Sequence, residues 1–89
     1  MVRAHLTISG IVQGVGYRWN CRREAGGRRL VGWVRNLPDG RVEAVIQGPK
    51  EEVEEMIRWC FRGPSGASVT DIAVTYEEAK DDLQDFGIR

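Results

Sequence analysis

With 89 residues and a mass of 10.0 kDa, the chain has room for a single domain over residues 1–89 and not for two. Hydrophobic residues at 42% and charged residues at 29% exclude a disordered chain, and the thin two-layer core this length allows excludes a deep enclosed active site. Thirteen basic against thirteen acidic residues leave no formal net charge, which argues against a nucleic-acid or membrane-surface binder, although the first 44 residues hold eight Arg against only Glu24, Asp39 and Glu43.

No run reaches the roughly 18 apolar residues of a membrane span, and the N-terminus lacks the pattern of a signal peptide, so a cytoplasmic chain is expected. Cys21 and Cys60 form no CxxC pair and have no histidine at metal-ligand spacing. They read as small buried hydrophobes in a reducing compartment, and no metal is expected.

In chain order, Ala4, Leu6 and Ile8 alternate with Arg3, His5 and Thr7, the period of a strand with one dry face. His5 falls on the wetter face and reads as a solvated surface residue. Three glycines then fall within Gly10–Gly16, and Arg18–Ala25 reads as a helix fed by a glycine loop. That helix is expected to end early, because Gly26 and Gly27 are poor helix formers and Arg28-Arg29 follow without a hydrophobic anchor. Residues 30–36 and 41–47 are rich in β-formers around Pro38-Asp39-Gly40, which predicts a hairpin.

Pro49, the acidic run Glu51–Glu55 and the stop Gly63-Pro64 bound a second helix, with Val53, Met56, Ile57 and Cys60 as its apolar stripe. Val69, Ile72, Val74 and Tyr76 suggest a fourth strand, residues 77–82 a polar loop, and Phe86–Arg89 a short closing strand. The order βαββαβ predicts an α+β, ferredoxin-like sandwich: a four-stranded antiparallel sheet plus the short C-terminal strand, with both helices on one face. In that topology the Gly14–Arg18 loop and Asn36 meet at one end of the sheet.

A glycine loop feeding a helix start can converge backbone N–H groups on an anion, although such a loop equally well serves only to turn the chain. Neither a Walker loop nor the dinucleotide glycine fingerprint is present. Arg18 adds a planar guanidinium able to take two phosphoryl oxygens. Asn36 offers a carboxamide able to hold a water, or else a side chain that caps the following turn.

The segment Gly10–Arg18 resembles the first acylphosphatase signature, G-x-V-Q-G-V-x-[FY]-R, and Gly32–Glu43 is similar to the second, G-[WY]-x-x-N-x-x-D-G-x-V-E. The resemblance implies a ferredoxin-like fold, no cofactor, and hydrolysis of acyl phosphates to a carboxylate and inorganic phosphate. It implies that Gln13, Gly14, Val15, Gly16, Tyr17 and Arg18 bind the substrate, and that Arg18 and Asn36 are catalytic, the first gripping the phosphoryl group and the second positioning water. The partners implied are a small-molecule acyl phosphate and inorganic phosphate as product and inhibitor; a monomer without nucleic acid or membrane is expected. The alternatives are a noncatalytic phosphate-sensing module or an RNA-binding one, the latter weakened because residues 41–47 carry no aromatic stacking platform. Tyr17 stands where Phe is commoner in the family, and its hydroxyl needs a partner or solvent.

Overall fold

Alternation along the first strand decides which face of the sheet is dry. The structure, a computed structural model, describes residues 1–89. Its elements are β1 (Val2–Ile11), α1 (Tyr17–Gly27), β2 (Val31–Asn36), β3 (Val42–Gly48), α2 (Lys50–Arg62), β4 (Ser68–Glu77) and β5 (Phe86–Ile88). Ala4, Leu6 and Ile8 are fully buried and lie opposite Ile46, Ala44 and Val42, which are buried as well. Val34 of β2 faces Ala44 and completes this row. Both helices cover that face with Cys21, Ala25, Val53, Met56, Trp59 and Cys60.

The strand order is β4-β1-β3-β2-β5, the expected sandwich, with β5 running parallel to β2 and the other pairings antiparallel. Two details of side-chain facing differ from the sequence pattern. On α2, Ile57 is only partly buried, and Trp59 takes its place in the core, 5.8 Å from the ring of Tyr17 on α1. The stripe therefore turns toward the other helix as well as toward the sheet. On β4, the step from Val69 to Ile72 breaks the period of two because the register slips between Ser9 and Gly10, leaving Thr70 as the extra residue. Gly10 is held there at φ +122°, where an added Cβ would lie 2.1 Å from the Ser68 carbonyl oxygen, so no other residue fits.

Helix α1 does not end early: it runs through both glycines to Gly27. The Arg29 amide bonds to the Gly26 carbonyl at 3.2 Å and the Leu30 amide to the Ala25 carbonyl at 3.0 Å, with Arg29 at φ 58°. This is a Schellman ending in which an arginine occupies the left-handed position that glycine usually takes. Leu30, buried beside Ala25 in the core, is the hydrophobic anchor that was expected to be missing. An added Cβ at Gly26 or Gly27 would meet nothing within 4 Å, and neither residue has a positive φ. Each glycine therefore only weakens the helix. Gly26→Ala and Gly27→Ala are each expected to stabilise the fold by roughly 1 kcal/mol, read as a rise in thermal midpoint of about 4–8 °C.

The outer face of the sheet is wetter but not bare. His5 is half-buried, with Nε2 2.6 Å from the Glu43 carboxylate, which also accepts from Arg35 at 2.6 Å. The expectation of a solvated His5 is corrected: Glu43, on the adjacent strand β3 and diagonally across the pairing, draws it in. Hydrogen bonding from His5, then from Arg35, holds the Glu43 carboxyl below its ordinary value. Nearby, the buried Arg3 donates to Gln47 at 2.8 Å and pairs with Asp82. Gln47 in turn exchanges hydrogen bonds of 2.7 and 3.0 Å with the main chain of Lys80. These contacts pin the polar stretch between β4 and β5 to the sheet, so that β5 arrives beside β2.

Candidate active site

The end of β1 and the start of α1 are joined by a loop whose shape depends on two glycines. Gly14 and Gly16 have φ +75° and +77°, left-handed values that other residues adopt only with strain. Gly16 is also the N-cap of α1, and no side chain caps this helix end. No main-chain carbonyl receives the amides of Gly14, Val15 or Gly16. The loop therefore presents uncommitted N–H donors beside the positive end of a helix dipole.

Facing the loop is the turn between β2 and β3. Pro38 and Asp39 are its central residues: the Gly40 amide bonds to the Leu37 carbonyl at 3.2 Å, and the Leu37 amide to the Arg41 carbonyl at 2.8 Å. Gly40 at φ +96° completes a three-residue hairpin loop. Asp39 caps it by accepting from the Arg41 amide at 3.1 Å, and this bond, with the Arg41 guanidinium, holds its carboxyl below the ordinary value. The turn is thus capped by Asp39, and Asn36 is left for another use.

Asn36 shares the inner-face parity of Gly32 and Val34 and lies at the end of β2, opposite Val42. Its Oδ1 is buried and has no hydrogen-bond partner, the sole buried side-chain oxygen or nitrogen in that condition. Such an atom normally costs about 1–3 kcal/mol, so its survival at this position needs an explanation. Arg18 is half-buried and pairs with no carboxylate, although five other arginines do.

Both residues border one hollow of about 260 Å³, lined by Val12, Gln13, Gly14, Gly16, Tyr17, Arg18, Trp19, Asn36 and Ile88. All the predicted site residues except Val15 are thereby gathered, but with different parts to play. Gln13 turns its amide away to donate to the Leu37 and Arg41 carbonyls at 2.8 and 2.9 Å, so its side chain clasps the turn. Val15 does not border the hollow; its side chain packs toward Gly66 and the core. Tyr17 is fully buried, and its hydroxyl donates to the Cys60 carbonyl at 2.6 Å.

The partner of Tyr17 has a local cause. The Cys60 carbonyl should receive the amide four residues on, but residue 64 is proline and has none. The phenol takes that place, and burial pushes its pKa far up, so it remains a donor. Tyr17→Phe is expected to cost about 1–2 kcal/mol of stability by orphaning this carbonyl, measured by denaturant unfolding. Gly63, at φ +63°, lets the ring in: a Cβ there would lie 3.0 Å from it.

Cys21 and Cys60 are free and fully buried; the hydrogen bond between their side chains, then burial, holds the Cys21 thiol in its protonated form. Neither is a nucleophile for this hollow. Sequence reasoning missed Val12, Trp19 and Ile88. Trp19 directly follows Arg18 and was open to discovery as an aromatic left on an exposed helix face, whereas Ile88 reaches the hollow only through the pairing of β5 with β2. A wider depression of about 480 Å³ lies over α1 and Trp59, but its Arg28 is already paired with Glu24 and Glu52.

Known proteins share this arrangement along nearly the whole chain. A sequence profile of the acylphosphatase family matches residues 4–88. The chain is 58% identical over 77 residues to an acylphosphatase of Thermococcus kodakarensis, covering 86% of this chain and 85% of that one. It is 55% identical over 78 residues to an acylphosphatase of Trichormus variabilis, covering 88% of this chain and 77% of that one. The crystal structure of acylphosphatase from Bacillus subtilis superposes with a TM-score of 0.96 at 36% identity, covering 100% of this chain and 99% of that one. With both signatures in place and folded into one hollow, the chain belongs to the acylphosphatase family.

Proposed function

We propose that the chain hydrolyses acyl phosphates to a carboxylate and inorganic phosphate, with Arg18 and the amides of the Gly14–Arg18 loop holding the phosphoryl group and Asn36 positioning the attacking water. The observation that carries this reading is the meeting, around one hollow, of an unpaired guanidinium, uncommitted backbone donors and a buried carboxamide oxygen without a partner. A water held by that oxygen would satisfy it and stand beside the phosphorus. The Arg18 fork and the loop amides would neutralise the equatorial oxygens, which is most of what phosphoryl transfer asks of a protein.

The reaction balances without a side-chain acid or base. The water oxygen bonds to phosphorus as the bond between phosphorus and the acyl oxygen breaks, and that electron pair leaves on the carboxylate. One water proton stays on the attacking oxygen and the other passes to a phosphoryl oxygen, giving dihydrogen phosphate. A carboxylate is a good enough leaving group to depart unprotonated. The reaction so written assigns no step to a metal ion. The two free, buried thiols support a reducing compartment such as the cytoplasm, and no helix is long and apolar enough to cross a membrane.

The test is benzoyl phosphate with chelator present. Equal amounts of benzoate and phosphate are expected, with competitive inhibition by inorganic phosphate. The rate should be nearly flat from about pH 5 to 8, because neither a guanidinium nor a carboxamide titrates there. Absence of turnover, or its abolition by the chelator, would overturn the reading. A bell-shaped profile in that range would mean that an acid and a base take part, which the reading excludes.

A further inference from the structure

The hollow is larger than a tetrahedral phosphoryl group requires, and its surplus wall is apolar. Of its apolar lining residues, Val12 and Tyr17 are almost wholly covered by the core, at 1% exposure each. The apolar surface the hollow offers to a ligand therefore comes from Trp19, 56% exposed, and Ile88, 37% exposed. Both lie in elements that place them beside the reacting groups. Trp19 follows Arg18 on the first turn of α1, and Ile88 pairs in register with Val34, two residues before Asn36.

More than half of the indole is open to a ligand at the mouth of the hollow. Arg23, one turn along α1, stands 5.7 Å from the ring centroid, a cation–π contact that steadies the ring without burying it. The polar groups of the hollow, Arg18, Asn36 and the loop amides, suit the phosphoryl half of the substrate. None of them suits the other half. The carbon skeleton must extend away from the bridging oxygen toward whatever apolar surface remains.

We infer that Trp19 and Ile88 seat the acyl half of the substrate and bias this enzyme toward acyl phosphates whose acyl group is flat and apolar, such as an aromatic one, over short aliphatic ones. This rests on the reading of the hollow as a phosphoryl site. Stacking on the indole and contact with the isoleucine remove apolar area from water, an advantage that a two-carbon acyl group is too small to collect.

Comparison of benzoyl and acetyl phosphate separates the two claims. In the unaltered protein, kcat/KM for benzoyl phosphate should exceed that for acetyl phosphate. Trp19→Ala should reduce this ratio about tenfold, mainly through KM for benzoyl phosphate, whereas Trp19→Phe should retain most of it. The inhibition constant for inorganic phosphate, which lacks an acyl group, reports whether the rest of the hollow is intact in each variant. If Trp19→Ala leaves the ratio unchanged, or lowers both substrates equally while phosphate binds as before, the acyl seat is refuted and the phosphoryl site stands. If the unaltered protein hydrolyses neither substrate, the proposed function itself fails.

Discussion

Arg18→Ala is expected to lower kcat/KM for benzoyl phosphate by roughly 100-fold or more, on the order of 3 kcal/mol of transition-state stabilisation. The size follows from how little else is available. The chain's other arginines lie outside the hollow, and the loop amides are neutral donors, so removing this guanidinium removes the one full positive charge that lines it. Ground-state binding should suffer as well, seen as a weaker competitive inhibition by inorganic phosphate. Arg18→Lys keeps the charge but loses the two-pronged geometry, and should recover only part of the activity. Because Arg18 takes part in no ion pair, the thermal midpoint should move little, which separates loss of chemistry from loss of fold. A variant retaining near-normal turnover would mean that the phosphoryl group is bound elsewhere.

Asn36→Ala should divide the kinetic constants differently. A water that loses its positioning group reacts more slowly without the phosphoryl group being bound less tightly, so kcat should fall about 100-fold while phosphate inhibition persists. Stability provides a second, independent readout. The buried Oδ1 has no partner within the protein, and its removal deletes a group that is costly to keep. The variant should melt at the same temperature as the parent or above it. The turn-capping alternative makes the opposite forecast, a less stable protein that still turns over, and the hydrogen bonds of the turn already weigh against it, since Asp39 occupies that position.

The parts legible in the sequence were those that depend on neighbours along the chain. The alternation of Ala4, Leu6 and Ile8 marked a one-sided strand, and Gly14, Gly16 and Arg18 lie within five residues, so the loop and its charge could be read together. Asn36 could be brought to the loop because the βαββαβ order has only a few ways to close. What escaped depends on distant partners. The pairing of His5 with Glu43 crosses 38 residues, and the arrival of Ile88 beside the hollow depends on a three-residue strand steered by Arg3 and Gln47. Trp59 went unrecognised as core because helical spacing indicates how wide an apolar stripe is, not how far it is turned toward a neighbouring helix. Arg29 in a left-handed conformation was hidden for another reason: composition favours glycine there, and only the burial of Leu30 explains why the chain tolerates the exception.

The Gln13 side chain, bonded at once to Leu37 and Arg41, ties together two stretches that carry the guanidinium and the carboxamide. To slide one past the other, two bonds must break together. On the proposed reading, the spacing between the groups that would meet the phosphorus is held by these bonds before any molecule enters, in the manner of a mould and not of a jaw that shuts. Catalysis of that kind spends none of its binding energy on closing, and a product as small as phosphate can depart without waiting for a door to open.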